Sequence, residues 1–341
     1  MENPSEHIPK QPSQVTFLNE PRVSEDPKVK EKHEERMLLA GKIESFLTNH
    51  EVFKEKEVTV QFAQDGVASL ICIVDISQQK KKKVVLKIPF GGRPTYNEAI
   101  AFSAWKAVGA SVPTPIEKGV FDDTHQYLLM DCIDAPTLEK AYTLQELIEK
   151  ELFVPLGELL ATMHRNKRTG FGSFNSEEKA EFTTFADWLQ RKKMKEDSEY
   201  VVTHGLMETQ SIEKASALLA EYSIEHPETV VCHLDFAANN VFATTPFTVF
   251  DAAPEFNLPH IDIGKSIVNM NSDGAEAIGQ FMRGYEEASG VLLNKKLIQA
   301  AVVLMMIRKL ANSHKTGGQK MEERIARNKK YLADNDHLLY T

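Results

Sequence analysis

The chain lacks the features that would place it in a membrane or in a disulfide-stapled class. No apolar run approaches the roughly 20 residues that span a bilayer. The first residues, Met1-Glu2-Asn3-Pro4-Ser5-Glu6, have no basic stretch followed by an apolar one, the pattern of a secretory leader. Cysteine is scarce. Cys72, Cys132 and Cys232 each lie in an apolar run, far from the others, as small buried hydrophobes do. Such spacing offers neither a disulfide framework nor a clustered metal site. Excess positive charge is missing too, and a net charge of −9 argues against a nucleic-acid partner. No internal repeat is present. These absences lead to the expectation of a cytoplasmic protein with no membrane, nucleic-acid or obligate protein partner. What is present fits an ordinary folded protein: 42% hydrophobic and 26% charged residues, over 341 positions that suffice for two domains or lobes.

Residues 1–30 hold five prolines among many charges and few apolar residues, which predicts a disordered tail. An amphipathic helix is expected from about Glu35 to Asn49, burying Met37, Leu38, Ile43, Phe46 and Leu47. Apolar runs predict strands at Val58–Phe62, Ser69–Ile76 and Val84–Ile88, with Gln78–Lys83 as a solvated hairpin tip. Helical periodicity over Tyr96–Val108 ends at Val112-Pro113-Thr114-Pro115, and Tyr127–Met130 is a further strand. Later helices are expected at Leu144–Arg165, Phe182–Met194, Thr203–Glu221, Ala275–Ser289, Lys295–His314 and Gly318–Asp334. Strands first and helices later is an α+β pattern. It gives a small β-rich N-terminal lobe over residues 31–132 and a larger helical lobe over residues 133–341.

The most informative stretch is His233-Leu234-Asp235-Phe236-Ala237-Ala238-Asn239-Asn240, followed by Val249-Phe250-Asp251. Phosphoryl transfer to a hydroxyl uses this order. One carboxylate receives the acceptor proton, an amide five residues on reaches a metal, and a second carboxylate holds that metal against the phosphates. An H-x-D triplet alone is common in surface turns. Here Val230-Val231-Cys232 precedes it, while Val241-Phe242 and Thr248-Val249-Phe250 follow, with Ala243-Thr244-Thr245-Pro246 as a turn. Asp235 and Asn240 therefore fall on a loop between strands, where a rigid scaffold holds functional residues. On this reading Asp235 is the catalytic base, and Asn240 and Asp251 are Mg²⁺ ligands. His233 is expected to pack within the loop.

A phosphotransferase also needs a cation on the nucleotide. Lys87 lies in the run Val84-Val85-Leu86-Lys87-Ile88, and Glu98 follows eleven residues later in the first turn of a helix. A lysine in such a strand, taken alone, points to solvent more often than into a site. A carboxylate at Glu98 can aim it at the α- and β-phosphates. Such a pair, lining an open cleft, would add little to stability. Between the first two predicted strands, Gly66 could let the backbone approach the phosphates and Ser69 could offer a hydroxyl. An ordinary hairpin turn fits that segment equally well.

As an ordered set over roughly residues 55–290, these motifs resemble the aminoglycoside phosphotransferase and choline kinase group of the protein-kinase-like superfamily. Leu160-Ala161-Thr162-Met163-His164 resembles the group's L-A-x-L-H helix end, and Gly170-Phe171-Gly172 its G-F-G turn. Leu128–Ile133 resembles its adenine-binding strand and hinge, which implies adenine contacts from the Asp131 carbonyl and the Ile133 amide. Pro259-His260-Ile261-Asp262-Ile263 resembles the stretch whose Asp braces the catalytic loop. A local similarity to hygromycin-type phosphotransferases lies in Phe171–Phe174 and Thr183–Trp188. The resemblance implies a protein-kinase-like two-lobed fold, with ATP (or GTP) and Mg²⁺ in the cleft. Three departures stand out: Leu234 where the group has Gly, Ala252-Ala253-Pro254 after the metal aspartate, and a glycine-poor phosphate loop.

From Asp251 to Glu287 there are seven carboxylates against Lys265 and Arg283. In the resembling group this stretch helps line the acceptor side, so the expected acceptor is a small cationic hydroxyl compound, an aminoglycoside first. Solvated helix faces are the plain alternative for these carboxylates. Two other readings stay open. One is a metabolite kinase of the same fold acting on an amino alcohol, sugar or fructosamine. The other is a catalytically silent nucleotide-binding protein.

Overall fold

In the computed structural model of the chain, residues 14–22, 30–64, 66, 68–76 and 82–340 are described. They fall into two compact units: Met1–Ala99 with Pro113–Ile133, and Ile100–Val112 with Asp134–Thr341.

The first unit is built on a six-stranded sheet. Its strands are β1 (Gln14–Phe17), β2 (Glu57–Phe62), β3 (Ser69–Ile76), β4 (Lys82–Pro89), β5 (Pro115–Val120) and β6 (Gln126–Asp131), in the order β1-β2-β3-β4-β6-β5. Burial alternates along β3, the signature of a half-buried strand. Leu70, Cys72, Val74 and Ile76 join Val84, Leu86 and Ile88 of β4 in one core. Helices α1 (Lys30–Ala40) and α2 (Ile43–Asn49) cover it with Leu39, Ile43 and Leu47. The single expected helix is thus two, broken at Gly41-Lys42. Leu39 shares the buried face with Ile43 and Leu47 at a spacing of four, which leaves Met37 and Leu38 exposed.

The expected disordered tail also needs correction. β1 pairs in parallel with β2, and Phe17 stacks on Phe62 with ring centroids 5.6 Å apart. Asn19 then clasps Phe62 from both sides, its Nδ2 donating to the Phe62 carbonyl at 2.9 Å and its Oδ1 accepting from the Phe62 amide at 2.8 Å. Residues 1–13 and 23–29 of that tail lie outside the described residues, as do residues 77–81 of the expected hairpin tip. Strand β5 was not expected. It is an edge strand with little burial, so its sequence carries no strong alternation.

Helix α3 (Tyr96–Ala107) starts in the first unit and continues into the second. Residues 100–112 therefore do not belong with a lobe ending at 132. Trp105 Nε1 donates to the Val231 carbonyl at 3.0 Å, and Ser111 Oγ meets Thr248 Oγ1 at 2.8 Å, which ties this segment to the second unit.

The second unit carries short helices α4 (Leu138–Ala141) and α5 (Leu144–Glu149), then α6 (Phe153–Met163). Leu144–Arg165 is not one helix: Glu151, with φ 50°, turns the chain between α5 and α6. Strands β7 (Lys167–Thr169), β8 (Phe171–Phe174) and β9 (Ala180–Phe182) follow, then α7 (Phe185–Leu189), α8 (Lys192–Thr203) and α9 (Thr209–Glu225). The expected helix from Phe182 begins instead at Phe185, because Thr184 caps it by accepting from the Asp187 amide at 3.1 Å. Next come β10 (Glu228–Cys232), β11 (Val241–Phe242), β12 (Thr248–Val249) and β13 (Glu255–Asn257). They form a sheet ordered β7-β10-β13-β8-β9 and the two-stranded pair β11-β12.

Four helices complete the unit: α10 (Pro259–Met270), α11 (Gly274–Ser289), α12 (Lys295–Thr316) and α13 (Gln319–Asn335). Proline at the first position of α10 is the signal that could have revealed this unanticipated helix. Most of α12 is buried, from Leu297 to Ser313. Glycines set the helix spacing. A Cβ on Gly157 would collide with the Phe281 carbonyl of α11, and one on Gly284 with the Val154 carbonyl of α6. These two helices therefore approach backbone to backbone. Among the described residues no helix is long and apolar enough to cross a membrane.

Candidate active site

The loop after β10 carries the H-x-D motif. Asp262, near the start of α10 and fully buried, holds it by two successive amides: His233 N at 2.6 Å on Oδ2 and Leu234 N at 2.8 Å on Oδ1. His164, at the end of α6, adds Nε2 to Asp262 Oδ2 at 3.1 Å, and its Nδ1 meets Tyr285 Oη at 2.9 Å. Burial would raise the Asp262 carboxyl, but the hydrogen bond and charge of His164 and the His233 amide bring it below the ordinary carboxylate value. His164, Cys232 and Asp262 also place potential metal-ligating atoms within 4.8 Å of one another. The bonds just described already engage the His164 and Asp262 atoms as a brace.

Leu234 has φ 57°, the left-handed region that favours glycine, which explains why Gly is usual there in the resembling group. Leucine in that conformation costs roughly 1–2 kcal/mol, which the Asp262 bond to its amide helps offset. Asp251 has φ 56°, which a short polar side chain tolerates better.

His233 is fully buried, stacked against Trp105 with centroids 5.6 Å apart. Its Nδ1 accepts from the Asp235 amide at 3.2 Å, so the proton sits on Nε2, which donates to the Phe250 carbonyl at 3.0 Å. Burial lowers its pKa despite the nearby Asp262 and Asp235 charges. This neutral imidazole positions the loop and has no spare nitrogen for a substrate.

The structure brings Asp235, Asn240 and Asp251 into one hydrogen-bonded segment. Asn240 Nδ2 donates to the Asp235 carbonyl at 2.7 Å and to Asp235 Oδ2 at 3.0 Å. Asn240 closes a 3-10 turn, Ala238–Asn240, and its carbonyl accepts from the Phe250 amide at 3.0 Å, one residue before Asp251. Asp235 is half-buried and Asp251 is exposed. The amide nitrogen of Asn240 is spent on Asp235, so its Oδ1, which accepts from Asn239 Nδ2 at 3.2 Å, is the side-chain atom suited to a hard cation. Carboxylate and amide oxygens are the donors Mg²⁺ takes.

The second group lies in the first unit. Lys87 sits on the face of β4 opposite Leu86 and Ile88, and its Nζ lies 2.9 Å from Glu98 Oε1 and 2.7 Å from Oε2. Both side chains are only 8% exposed. The expectation of an open pair worth little to stability is thus corrected: this is a buried bidentate pair, whose rupture strands a charge. Gly66, at φ 87°, is exposed, and its carbonyl accepts from Arg36 Nη2 at 2.9 Å. Ser69 opens β3 opposite Pro89. Asp131 ends β6 opposite Val84, its amide donating to the Thr114 carbonyl at 3.0 Å, and Ile133 is the last residue of the unit.

Three residues at the catalytic loop were missed from sequence. Asn269 of α10 donates from Nδ2 to Asp235 Oδ1 at 3.2 Å. Its Oδ1 accepts from Lys265 Nζ at 3.2 Å and from Lys309 Nζ, on α12, at 3.5 Å. No motif marks them. Their helices carry other charged and polar residues as well, so charge alone does not single them out.

Several of the carboxylates counted from Asp251 to Glu287 are engaged within the fold. Glu255 is bound by Arg191 Nη1 at 2.9 Å and Trp188 Nε1 at 3.0 Å. Glu286 Oε1 accepts from the Leu293 amide at 2.8 Å, and Asp262 is the buried brace. Glu276 is exposed in the first turn of α11.

An H-x-D loop braced by a buried Asp, with an amide and a second carboxylate in the same segment, has the donors that phosphoryl transfer uses. The chain belongs to the phosphotransferase enzyme family, which matches residues 59–292. Its fold is shared with solved structures of low identity. Aminoglycoside phosphotransferase APH(4)-Ia, a thermostable mutant in ternary complex with ADP and hygromycin B, is 17% identical with a TM-score of 0.62, over 88% of this chain and 98% of that one. A Plasmodium vivax ethanolamine kinase is 13% identical with a TM-score of 0.53, over 92% and 89%. A fructosamine-3-kinase from Thermobifida fusca, itself known only by similarity, is 14% identical with a TM-score of 0.52, over 80% and 94%. No curated protein sequence matches the chain.

Proposed function

We propose that the chain transfers the γ-phosphate of ATP to a hydroxyl of a small molecule, with Asp235 as the base. The observation that carries this reading is the Asp235 carboxylate, fixed by Asn240 and Asn269 on a loop whose backbone Asp262 grips. Asp235 accepts the acceptor's proton as the hydroxyl oxygen bonds to the γ-phosphorus. The bond to the bridging oxygen breaks, and ADP leaves with that electron pair. Lys87, aimed by Glu98, binds the α- and β-phosphates. Gly66 and Ser69 cover them, and the Asp131 carbonyl and Ile133 amide read adenine. Asn240 and Asp251 would hold Mg²⁺, which when bound neutralises charge on the phosphate oxygens.

Nucleotide complexes of the aminoglycoside phosphotransferase support ATP as donor. Its hygromycin B, and the amino alcohol and fructosamine named for the other two neighbours, leave both acceptor classes in play: an aminoglycoside, or a metabolite. A silent nucleotide-binding protein is disfavoured by the intact Asp235, Asn240 and Asp251 set. The test is binding of AMP-PNP across a Mg²⁺ titration. Wild type should bind with an affinity that rises with Mg²⁺, and Asp251→Asn should lose that dependence. Metal-independent binding of equal strength in both proteins would refute the metal assignment.

A further inference from the structure

The polar chain around Asp235 ends in cations that no described carboxylate neutralises. Lys265 and Lys309 converge on the single oxygen Asn269 Oδ1, whose amide nitrogen holds Asp235 Oδ1. Three further cations act on this pair: Arg308 on Lys265, and Arg324 and Arg327 on Lys309. Among the described residues none of the five cations forms an ion pair with a carboxylate. The carboxylates felt by the lysines are Asp235, facing both, and the buried brace Asp262, facing Lys265. Asp273 lies near Arg327, where burial and Glu139 raise its own pKa. Two half-buried ammonium groups sharing one amide oxygen repel each other, and among the described residues no carboxylate touches either of them, Asp235 and Asp262 acting only from a distance.

A second observation lies on α13. Arg324, Arg327 and Asn328 are spaced to share one helix face. Asn328 is 1% exposed, its Oδ1 accepts from Asn271 Nδ2 at 3.0 Å, and its own Nδ2 has no partner. Asn271 stands two residues beyond Asn269. This buried donor without an acceptor adjoins Arg327 in the chain, and an anion is one group that could serve as its acceptor.

We propose that the acceptor is an anionic hydroxyl compound, bearing a carboxylate or a phosphate ester, and that Lys265 and Lys309 bind its charged group while Asp235 receives its hydroxyl proton. This rests on the phosphotransferase reading and specifies its acceptor. Lys309 carries the mark of the missing charge: burial, then Lys265, Arg324 and Arg327, push its pKa down to about 8 against the pull of Asp235. A bound anion reverses that repulsion. The acceptor would then differ in charge from an aminoglycoside.

The test is titration calorimetry of the full chain, with Mg²⁺ and AMP-PNP in place, against four three-carbon compounds sharing a primary hydroxyl. Glycerol is neutral, 2-amino-1,3-propanediol cationic, and glycerate and glycerol 3-phosphate anionic. One of the two anionic compounds should bind at least tenfold tighter than glycerol and the amine, which also separates carboxylate from phosphate ester. Lys265→Gln and Lys309→Gln should each weaken that binding at least tenfold, and by a larger factor than they weaken AMP-PNP. Tightest binding of the amine, no difference among the four, or no binding of any overturns the proposal. So does an equal or larger effect of the lysine variants on AMP-PNP, which would assign them to the nucleotide. If the chain binds no AMP-PNP in Mg²⁺, the phosphotransferase reading itself fails. If it binds AMP-PNP and favours the amine, only the anionic acceptor fails.

Discussion

Asp262 holds the backbone amide of His233 at 2.6 Å from a carboxylate with no exposed surface. The same side chain serves Leu234 N and His164 Nε2, so one residue ties α10 and α6 to the H-x-D loop. Asp262→Ala would leave two buried amides and a buried imidazole without their acceptor. The expected loss is roughly 3–5 kcal/mol in urea unfolding, with transfer abolished. A loss under about 1 kcal/mol would show that the loop holds its shape without the brace.

Lys87 and Glu98 should matter to folding as well as to ATP. Their bidentate contact is nearly closed to solvent, so Lys87→Met or Glu98→Gln should cost about 3 kcal/mol or more. The double variant should lose less than the sum, because no single charge is stranded. Additive losses in denaturant midpoint would mean that the two side chains act independently.

His260 gives an acid signature. Burial, with His164 and His226 nearby, pushes its pKa down to about 4 from an ordinary 6.5. Between those values the unfolded chain holds a proton that the folded chain refuses. Stability therefore falls as pH drops from about 6.5 towards 4, by roughly 2–3 kcal/mol from this residue. His260→Phe should flatten that part of the stability profile. An unchanged slope between pH 4 and 6.5 would remove His260 as its source.

The N-terminal strand should stabilise the first unit. Asn19→Ala removes both hydrogen bonds to Phe62 and exposes the sheet edge, at an expected cost of about 1–3 kcal/mol. Deleting residues 1–22 should cost more, because β1 and the Phe17–Phe62 stack go with it. A melting temperature unchanged by the deletion would return this segment to the status of a tail.

What was legible in the sequence divides along physical lines. Asp235, Asn240 and Asp251 could be singled out as candidates because phosphoryl transfer would need them at fixed spacing within one short segment, flanked by apolar strands. The strands β2, β3 and β4 were readable because one face is buried and their residues alternate. Strands β1, β5 and β7 to β9 are short or lie at edges, so burial leaves little imprint on their composition. The break between α5 and α6 rests on one left-handed residue, Glu151, that an apolar pattern cannot report. Asn269, Lys265 and Lys309 were invisible for another reason. They lie on two helices about forty positions apart, and only the packing of α10 against α12 brings them to Asp235.

The count of carboxylates between Asp251 and Glu287 leaves the acceptor open for a related reason. Charge along a sequence predicts a field only if the side chains face one volume. Here Glu255 turns to Arg191, Glu286 caps a loop amide and Asp262 faces inward. Lys265 and Lys309 instead bond Asn269, which in turn bonds Asp235.

The most direct measurement of the account is Mg²⁺-dependent ADP formation from ATP by wild type and Asp235→Asn, across a panel of anionic, neutral and cationic hydroxyl compounds. The account predicts that wild type forms ADP together with a phosphorylated acceptor, and that the variant, still folded, is about 10²–10⁴-fold slower. Turnover by Asp235→Asn close to that of wild type, or no Mg²⁺-dependent transfer by wild type to any acceptor, would contradict it.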